Sequence, residues 1–255
     1  MTYSSLDRRG FFRLGAGAVA TAAGLAVVAD LGLAGPAAAY GWGRNLSQGS
    51  SGNDVAELQI RVAGWAADSA SQTYVAVDGS FGAGTAAALR RFQSAYGLSA
   101  DGVAGPQTFS VLNSLEKSDG STAHFDFSEF TSHDGSGFGG GNVGASEVKE
   151  NVRRTMYKLE ALRKKAGNSS VTINSGFRST AYNSSIGGAG NSMHTYGVAA
   201  DLAVSGHSTL QVYRIAETCG FSGLETHTVS WQHVDSRVEH SSYGSGFWWW
   251  QDGVA

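Results

Sequence analysis

Residues 192–204, SMHTYGVAADLAV, and residues 230–237, SWQHVDSR, decide how this chain is read. They hold His194, Asp201 and His233: an imidazole, a carboxylate seven positions on, and a second imidazole downstream. Asp201 is the one charge in the small apolar run YGVAADLAV, where a half-buried or buried strand is expected. A buried carboxylate without a partner is costly, so it needs a cation or a hydrogen-bond network. HVDSR sets His233 beside an apolar residue at the end of an extended run. Zinc accepts neutral imidazole nitrogen and carboxylate oxygen, and three protein ligands leave one tetrahedral position for water. Taken singly, each histidine reads as an ordinary polar residue and Asp201 as a helix cap. Taken together, with Arg178 in SGFRS (175–179) upstream, they read as a candidate metal site.

SGFRS, then a Gly-rich loop, then H-x6-D and a later H-V-D resemble the zinc D-Ala-D-Ala carboxypeptidases. The wider group includes the vancomycin-resistance dipeptidases, the lysostaphin-type endopeptidases and the hedgehog signalling domain. The resemblance spans roughly residues 130–238. It implies an α+β fold with a central antiparallel sheet whose inner face carries zinc. It implies His194, Asp201 and His233 as ligands, and Arg178 as the cation that binds substrate or steadies the transition state. A guanidinium at a strand end presents a planar fork to a carboxylate or oxyanion. The general base departs from the family. The dipeptidase branch has E-W-W-H, but three residues before His233 stands Ser230; the lysostaphin branch has H-x-H, but two before it stands Trp231. His227 and Glu225 remain as base candidates, with His227 favoured because an imidazole titrates near neutral pH. Ser192 and Tyr196 are expected to orient His194, and Asp235 to face away as structural support.

The chain opens DRRGFFRLGAGAVATAAGLAVVADLGLAGPAAAYGW. Arg8 and Arg9 precede Phe11 and Phe12, a weakly apolar stretch and Ala37-Ala38-Ala39, which together resemble a twin-arginine export signal cleaved after Ala39. Asp30 and the glycines argue against a retained anchor, which wants about 20 strongly apolar residues. Residues 1–39 are therefore expected as a signal peptide, and the remainder as secreted, extracellular or wall-associated. Cys219 is the only cysteine, so no intrachain disulfide forms. The net charge is −3, with no basic block, which argues against nucleic acid as a partner.

Residues 44–117 read as a three-helix module built on an imperfect repeat. Asp78-Gly79-Ser80-Phe81-Gly82-Ala83-Gly84-Thr85 echoes Asp101-Gly102-Val103-Ala104-Gly105-Pro106-Gln107-Thr108. Each is a turn followed by a helix start, with Thr85 as N-cap and Pro106 in a first turn. Three apolar stripes follow: Val55, Leu58, Val62 and Trp65; Leu89, Phe92 and Tyr96; Phe109, Leu112 and Leu115. Short amphipathic helices bury such stripes only against one another. D-G-x-F-G and L-R-R-F-Q-x-x-x-G-L resemble the peptidoglycan-binding module found beside many wall hydrolases.

Residues 118–144, rich in Ser, Gly, Asp and Thr, read as a linker and a first edge strand in FDFSEFTS. His124 and His133 are expected in solvent. Residues 145–255 form the catalytic region. Val148, Val152, Met156, Leu159 and Leu162 trace one face of a long helix, VTINS reads as a strand, STLQVYRIAETCGF as a helix capped by Ser208, and GLETHTVSWQHVDSR as paired strands delivering His233.

The expected fold class is α+β: a small three-helix bundle followed by a metallopeptidase domain. The resemblance implies a zinc carboxypeptidase acting on the stem peptides of bacterial peptidoglycan, without a stable membrane anchor after cleavage and with oligomeric state open. Three alternatives stand beside it: a crosslink endopeptidase, an inactive wall-binding protein, and a carbohydrate binder using Phe247, Trp248, Trp249 and Trp250.

Overall fold

The computed structural model describes residues 40–226, 229–240 and 246–251. The expected signal peptide, residues 1–39, and the base candidate His227 lie outside the described residues.

Three helices make the first module: α1 (Asn53–Val62), α2 (Ala83–Ala95) and α3 (Pro106–Ser114). Their stripes meet in one core of Val55, Leu58, Val62, Trp65, Leu89, Phe92, Phe109 and Leu112. The repeat has a polar cause as well. The buried amide of Gln59 donates to Asp78 Oδ1 (2.8 Å) and Thr85 Oγ1 (3.1 Å), and that of Gln93 donates to Asp101 Oδ1 (2.9 Å) and Thr108 Oγ1 (3.2 Å). Each Asp-Gly loop is thus pinned to a helix start by one buried glutamine. Thr85 is therefore not the N-cap expected of it; that place is held by Gly82, and Thr85 sits buried inside α2.

Residues 118–144 are not a loose linker. Phe125, Phe127 and Phe130 are buried in the core of the second region, and Ser121 and Thr122 are fully buried. FDFSEFTS forms no edge strand. Asp126 and Glu129 make a reciprocal capping box around a 3-10 turn (Phe127–Phe130), whose i, i+3 spacing sends both phenylalanines inward.

The second region is a sheet backed by helices. α4 (Ala145–Lys165) lies against its rear with Val148, Val152, Met156, Leu159 and Leu162 fully buried. The strands are β1 (Val171–Ser175), β2 (Ala199–Val204), β3 (Gly223–Thr226), β4 (Gln232–Asp235) and β5 (Trp248–Gln251), in the order β1-β2-β4-β3-β5. The first four pair antiparallel, as expected, but β5 joins parallel to β3, so the sheet is mixed. Two further helices, α5 (Thr180–Ser185) and α6 (Thr209–Ala216), lie between β1 and β2 and between β2 and β3; Ser208 caps the latter in a box with Gln211. α5 takes up the start of the segment between SGFRS and His194, so the Gly-rich loop is shorter than that whole segment.

The period-2 alternation of strands sorts the two faces. Leu202, Val234 and Leu224 point into the core with α4, and Trp249 packs against it. Ser175, Asp201, His233, Glu225 and Trp250 are aligned in register across the five strands and share the opposite face.

The module and the sheet region share α4. Its Tyr157 and Ala161 belong to the helical module's core. A methyl at Gly64 would lie 2.4 Å from Ala161 Cβ, so glycine permits the approach. Lys165 Nζ donates to the carbonyls of Gly64 (3.1 Å) and Thr218 (2.9 Å), one from each side of the seam.

Candidate metal centre

Asp201 comes from the middle of β2, His233 from β4 directly opposite, and His194 from a 3-10 turn (Met193–Tyr196) just before β2. Gly197, at φ 75°, ends that turn in the left-handed region and lets the chain enter the strand. The donor atoms of the three residues all lie within 4.8 Å of one another, and all three residues are buried.

Each imidazole is held by its other nitrogen. His194 Nδ1 donates to the Gly176 carbonyl (2.6 Å), which leaves Nε2 facing Asp201 Oδ1 at 3.2 Å. His233 Nε2 lies 3.1 Å from Asp235 Oδ2, which leaves Nδ1 at 2.9 Å from Asp201 Oδ1 and 3.2 Å from His194 Nε2. A neutral imidazole that donates from one nitrogen carries its lone pair on the other. Two lone pairs and a carboxylate oxygen therefore converge, a donor set and spacing that fit a zinc ion.

The electrostatics point the same way. Burial lowers the pKa of His194, keeping it neutral at pH 7. Burial works to raise Asp201, but His194 and His233 outweigh it and hold the carboxylate well below its usual range. Burial works to lower His233, yet hydrogen bonds to Asp201 and Asp235 push it up to about 10. Those two carboxylates create a place for positive charge, and a metal ion that takes it displaces a proton.

Arg178 meets the site from β1's end. Its Nη2 donates to Asp201 Oδ2 and its Nε to Ser175 Oγ (2.8 Å). It steadies the carboxylate's outer oxygen rather than standing clear in the cleft. Glu225 shares the face of the metal centre, next to His233 in register, and its Oε1 lies 3.6 Å from Arg237 Nη2. His124 pairs with Glu160 (2.8 Å) and His133 packs on the Tyr182 ring, so neither joins the cluster.

Three supports escaped the sequence reading. Asp235 does not face away: it is fully buried, contacts His233 and accepts from Arg237 Nε (2.9 Å). Period-2 spacing from His233 was the available signal. Gly223 makes room for it, since a methyl there would lie 2.1 Å from Asp235 Oδ2. The Gly176 carbonyl orients His194; a backbone acceptor leaves no mark in the sequence.

Comparison with known proteins adds the following. A family described as Peptidase M15 matches residues 123–235, and one described as a putative peptidoglycan binding domain matches residues 51–112. The zinc D-Ala-D-Ala carboxypeptidase of Streptomyces albus G is 44% identical over 185 residues, covering 72% of this chain and 71% of that protein. A spore cortex-lytic enzyme of Bacillus cereus is 44% identical over 80 residues, 31% of this chain and 29% of that one. The crystal structure of the SleB N-terminal domain shares 42% identity, covering 27% of this chain and 88% of that chain, with a TM-score of 0.23. Identity of 44% across more than two thirds of both proteins places this chain in the peptidase M15 family, whose model spans His194, Asp201 and His233, with a peptidoglycan-binding domain ahead of its peptidase region.

Proposed function

We propose that the protein is a secreted zinc metallopeptidase that hydrolyses D-Ala-D-Ala or related peptide bonds of bacterial peptidoglycan, acting as a carboxypeptidase. The convergence of His194 Nε2, Asp201 Oδ1 and His233 Nδ1 carries this reading. The name of the Streptomyces relative supports both metal and substrate. Zinc held by these three residues would supply a Lewis acid for the scissile carbonyl and bring the pKa of an attacking water towards neutrality.

The chain's own groups do the rest. Asp235 and the Gly176 carbonyl fix the two rings, so the donors need no reorganisation. Arg178 steadies Asp201 through Nη2; in this proposal the rest of its guanidinium meets the substrate's terminal carboxylate or the developing oxyanion. Glu225, one strand from His233 on the same face, is the candidate base among the described residues, and His227 is its rival. The proposed organisation is a signal peptide over 1–39, a wall-binding module over 44–117, a connecting segment over 118–144 and a catalytic region over 145–255. The paired arginines Arg8 and Arg9 ahead of an apolar run support export.

Metal analysis combined with mass spectrometry of products from purified wall tests the proposal. The expected result is one zinc per chain, release of terminal D-Ala, and loss of that release on chelation. Cut crosslinks with intact pentapeptide ends would replace the carboxypeptidase by an endopeptidase. Full zinc with tight wall binding and no product would make it a binding protein. Between the bases, the variant among Glu225→Gln and His227→Ala that removes the acidic limb of the pH-rate profile identifies the proton acceptor.

A further inference from the structure

The C-terminal strand carries a feature that the metal centre does not use. Trp248 and Trp250 are 52% and 38% exposed, whereas Trp249 between them packs on the core and donates Nε1 to the Phe221 carbonyl (3.2 Å). Alternation therefore puts both exposed indoles on the face that holds Asp201 and His233. Register fixes their places: Trp250 lies beside Glu225 and Trp248 beside Gly223, the neighbours of His233 and Asp235 in turn. Strand spacing sets Trp250 about 10 Å from His233 across the sheet, and the two indoles about 7 Å apart along it. Between them and the metal ligands stands a polar strip, Glu225 with Arg237 (3.6 Å), both partly exposed. At the other end Phe247 meets Tyr74 of the helical module, ring centroids 6.4 Å apart. Tyr74 lines a groove of about 350 Å³ with Asp68, Thr73 and Arg91.

We propose that Trp248 and Trp250, with the Glu225–Arg237 pair, form a subsite for an N-acetylated amino-sugar ring of the glycan strand that bears the stem peptide. A pyranose has an apolar face of C–H groups and a rim of hydroxyl and acetamido groups. Indole faces suit the first, and an adjacent carboxylate and guanidinium suit the second. The subsite rests on the peptidase reading for its substrate, and it deepens that reading: the enzyme selects peptides still attached to sugar. The contact of Phe247 with the helical module puts the strand between the module and the metal centre, as a shared glycan requires.

The test compares two substrates, a disaccharide-pentapeptide and the same pentapeptide without sugar. Wild-type protein is expected to show a higher kcat/KM for the sugar-bearing substrate, through KM. Trp248→Thr and Trp250→Thr keep strand propensity. Each is expected to cut the ratio of the two kcat/KM values by about tenfold, the equivalent of about one stacked aromatic contact. A ratio equal to that of wild type in both variants overturns the subsite. Wild-type protein that cleaves neither substrate rejects the peptidase reading instead. Indole fluorescence then tests the subsite separately: the disaccharide-peptide should shift the emission of wild type and not of the double Thr variant, and an identical shift in both overturns it.

Discussion

The seam between the helical module and the sheet region and the metal centre both bury charge, but they balance it differently. At the seam, fully buried Arg61 reaches Glu57 (2.7 Å) and Glu116 (2.8 Å), Arg153 reaches Glu57 (2.9 Å) and Glu150 (2.8 Å), and Arg154 reaches Glu150 (3.0 Å). Three guanidiniums face three carboxylates, and the Tyr40, Trp42 and Tyr157 rings lie 5.5–5.7 Å from the Arg61 cation. At the metal centre, Asp201, Asp235 and Glu225 face Arg178 and Arg237, and the third positive charge is a proton on His233, whose pKa is pushed up to about 10, while His194 is kept neutral. A metal ion bound there would take the place of that proton. The seam is complete as protein and holds two modules together; the centre is completed by a cation. That difference is what separates a structural ion network from a site.

The comparison is tested most severely at the ligands. His233→Ala should abolish zinc retention and D-Ala release, whereas the seam variant Glu57→Ala should keep zinc at one per chain by elemental analysis. Glu57→Ala should instead destabilise the fold by about 1–3 kcal/mol in urea unfolding, because it takes from Arg61 and Arg153 one of the two carboxylates that each holds. A loss well under 1 kcal/mol would mean that the seam charges are solvated after all.

Asp235→Asn should weaken zinc binding by about 10–100-fold in chelator competition, since the Asp235 carboxylate fixes the His233 ring. Gly223→Ala should act in the same direction, by forcing Asp235 from its place. Acid sharpens the contrast further. Burial works to raise Glu57 and Glu150, but their arginines outweigh it and both pKa values fall below the ordinary 4.5. A depressed carboxylate contributes stability above its unfolded pKa and loses it as pH drops through the folded one. Metal-free protein should therefore lose stability below about pH 4.5, and Glu57→Ala should flatten that dependence. Lys117→Ala, which breaks an exposed pair with Asp126, should change stability by less than about 1 kcal/mol.

Much of this molecule is written in local pattern. The apolar stripe of α4 and the alternation around Asp201 and His233 follow from periods of 3.6 and 2, which need only the chain itself. The metal triplet was visible because an isolated acid in an apolar strand demands a partner. Residues 118–144 misled because composition outvoted spacing: Ser and Gly suggested a linker, yet Phe125, Phe127 and Phe130 anchor the segment in a core supplied from elsewhere. The paired Gln59 and Gln93 show the same limit. Their Asp and Thr partners form a visible repeat, but the amides that join them lie at unequal distances along the chain.

Residue type and period thus suffice for the two modules, the α+β class and the three ligand candidates, because each rests on neighbours close in sequence. Long-range juxtaposition supplied the rest: the Gly176 carbonyl on His194, Asp235 turned towards His233, β5 laid parallel to β3, and α4 shared by two cores. None of these leaves a local trace, since a hydrogen bond between distant segments depends on where the whole chain packs and not on what stands beside each residue.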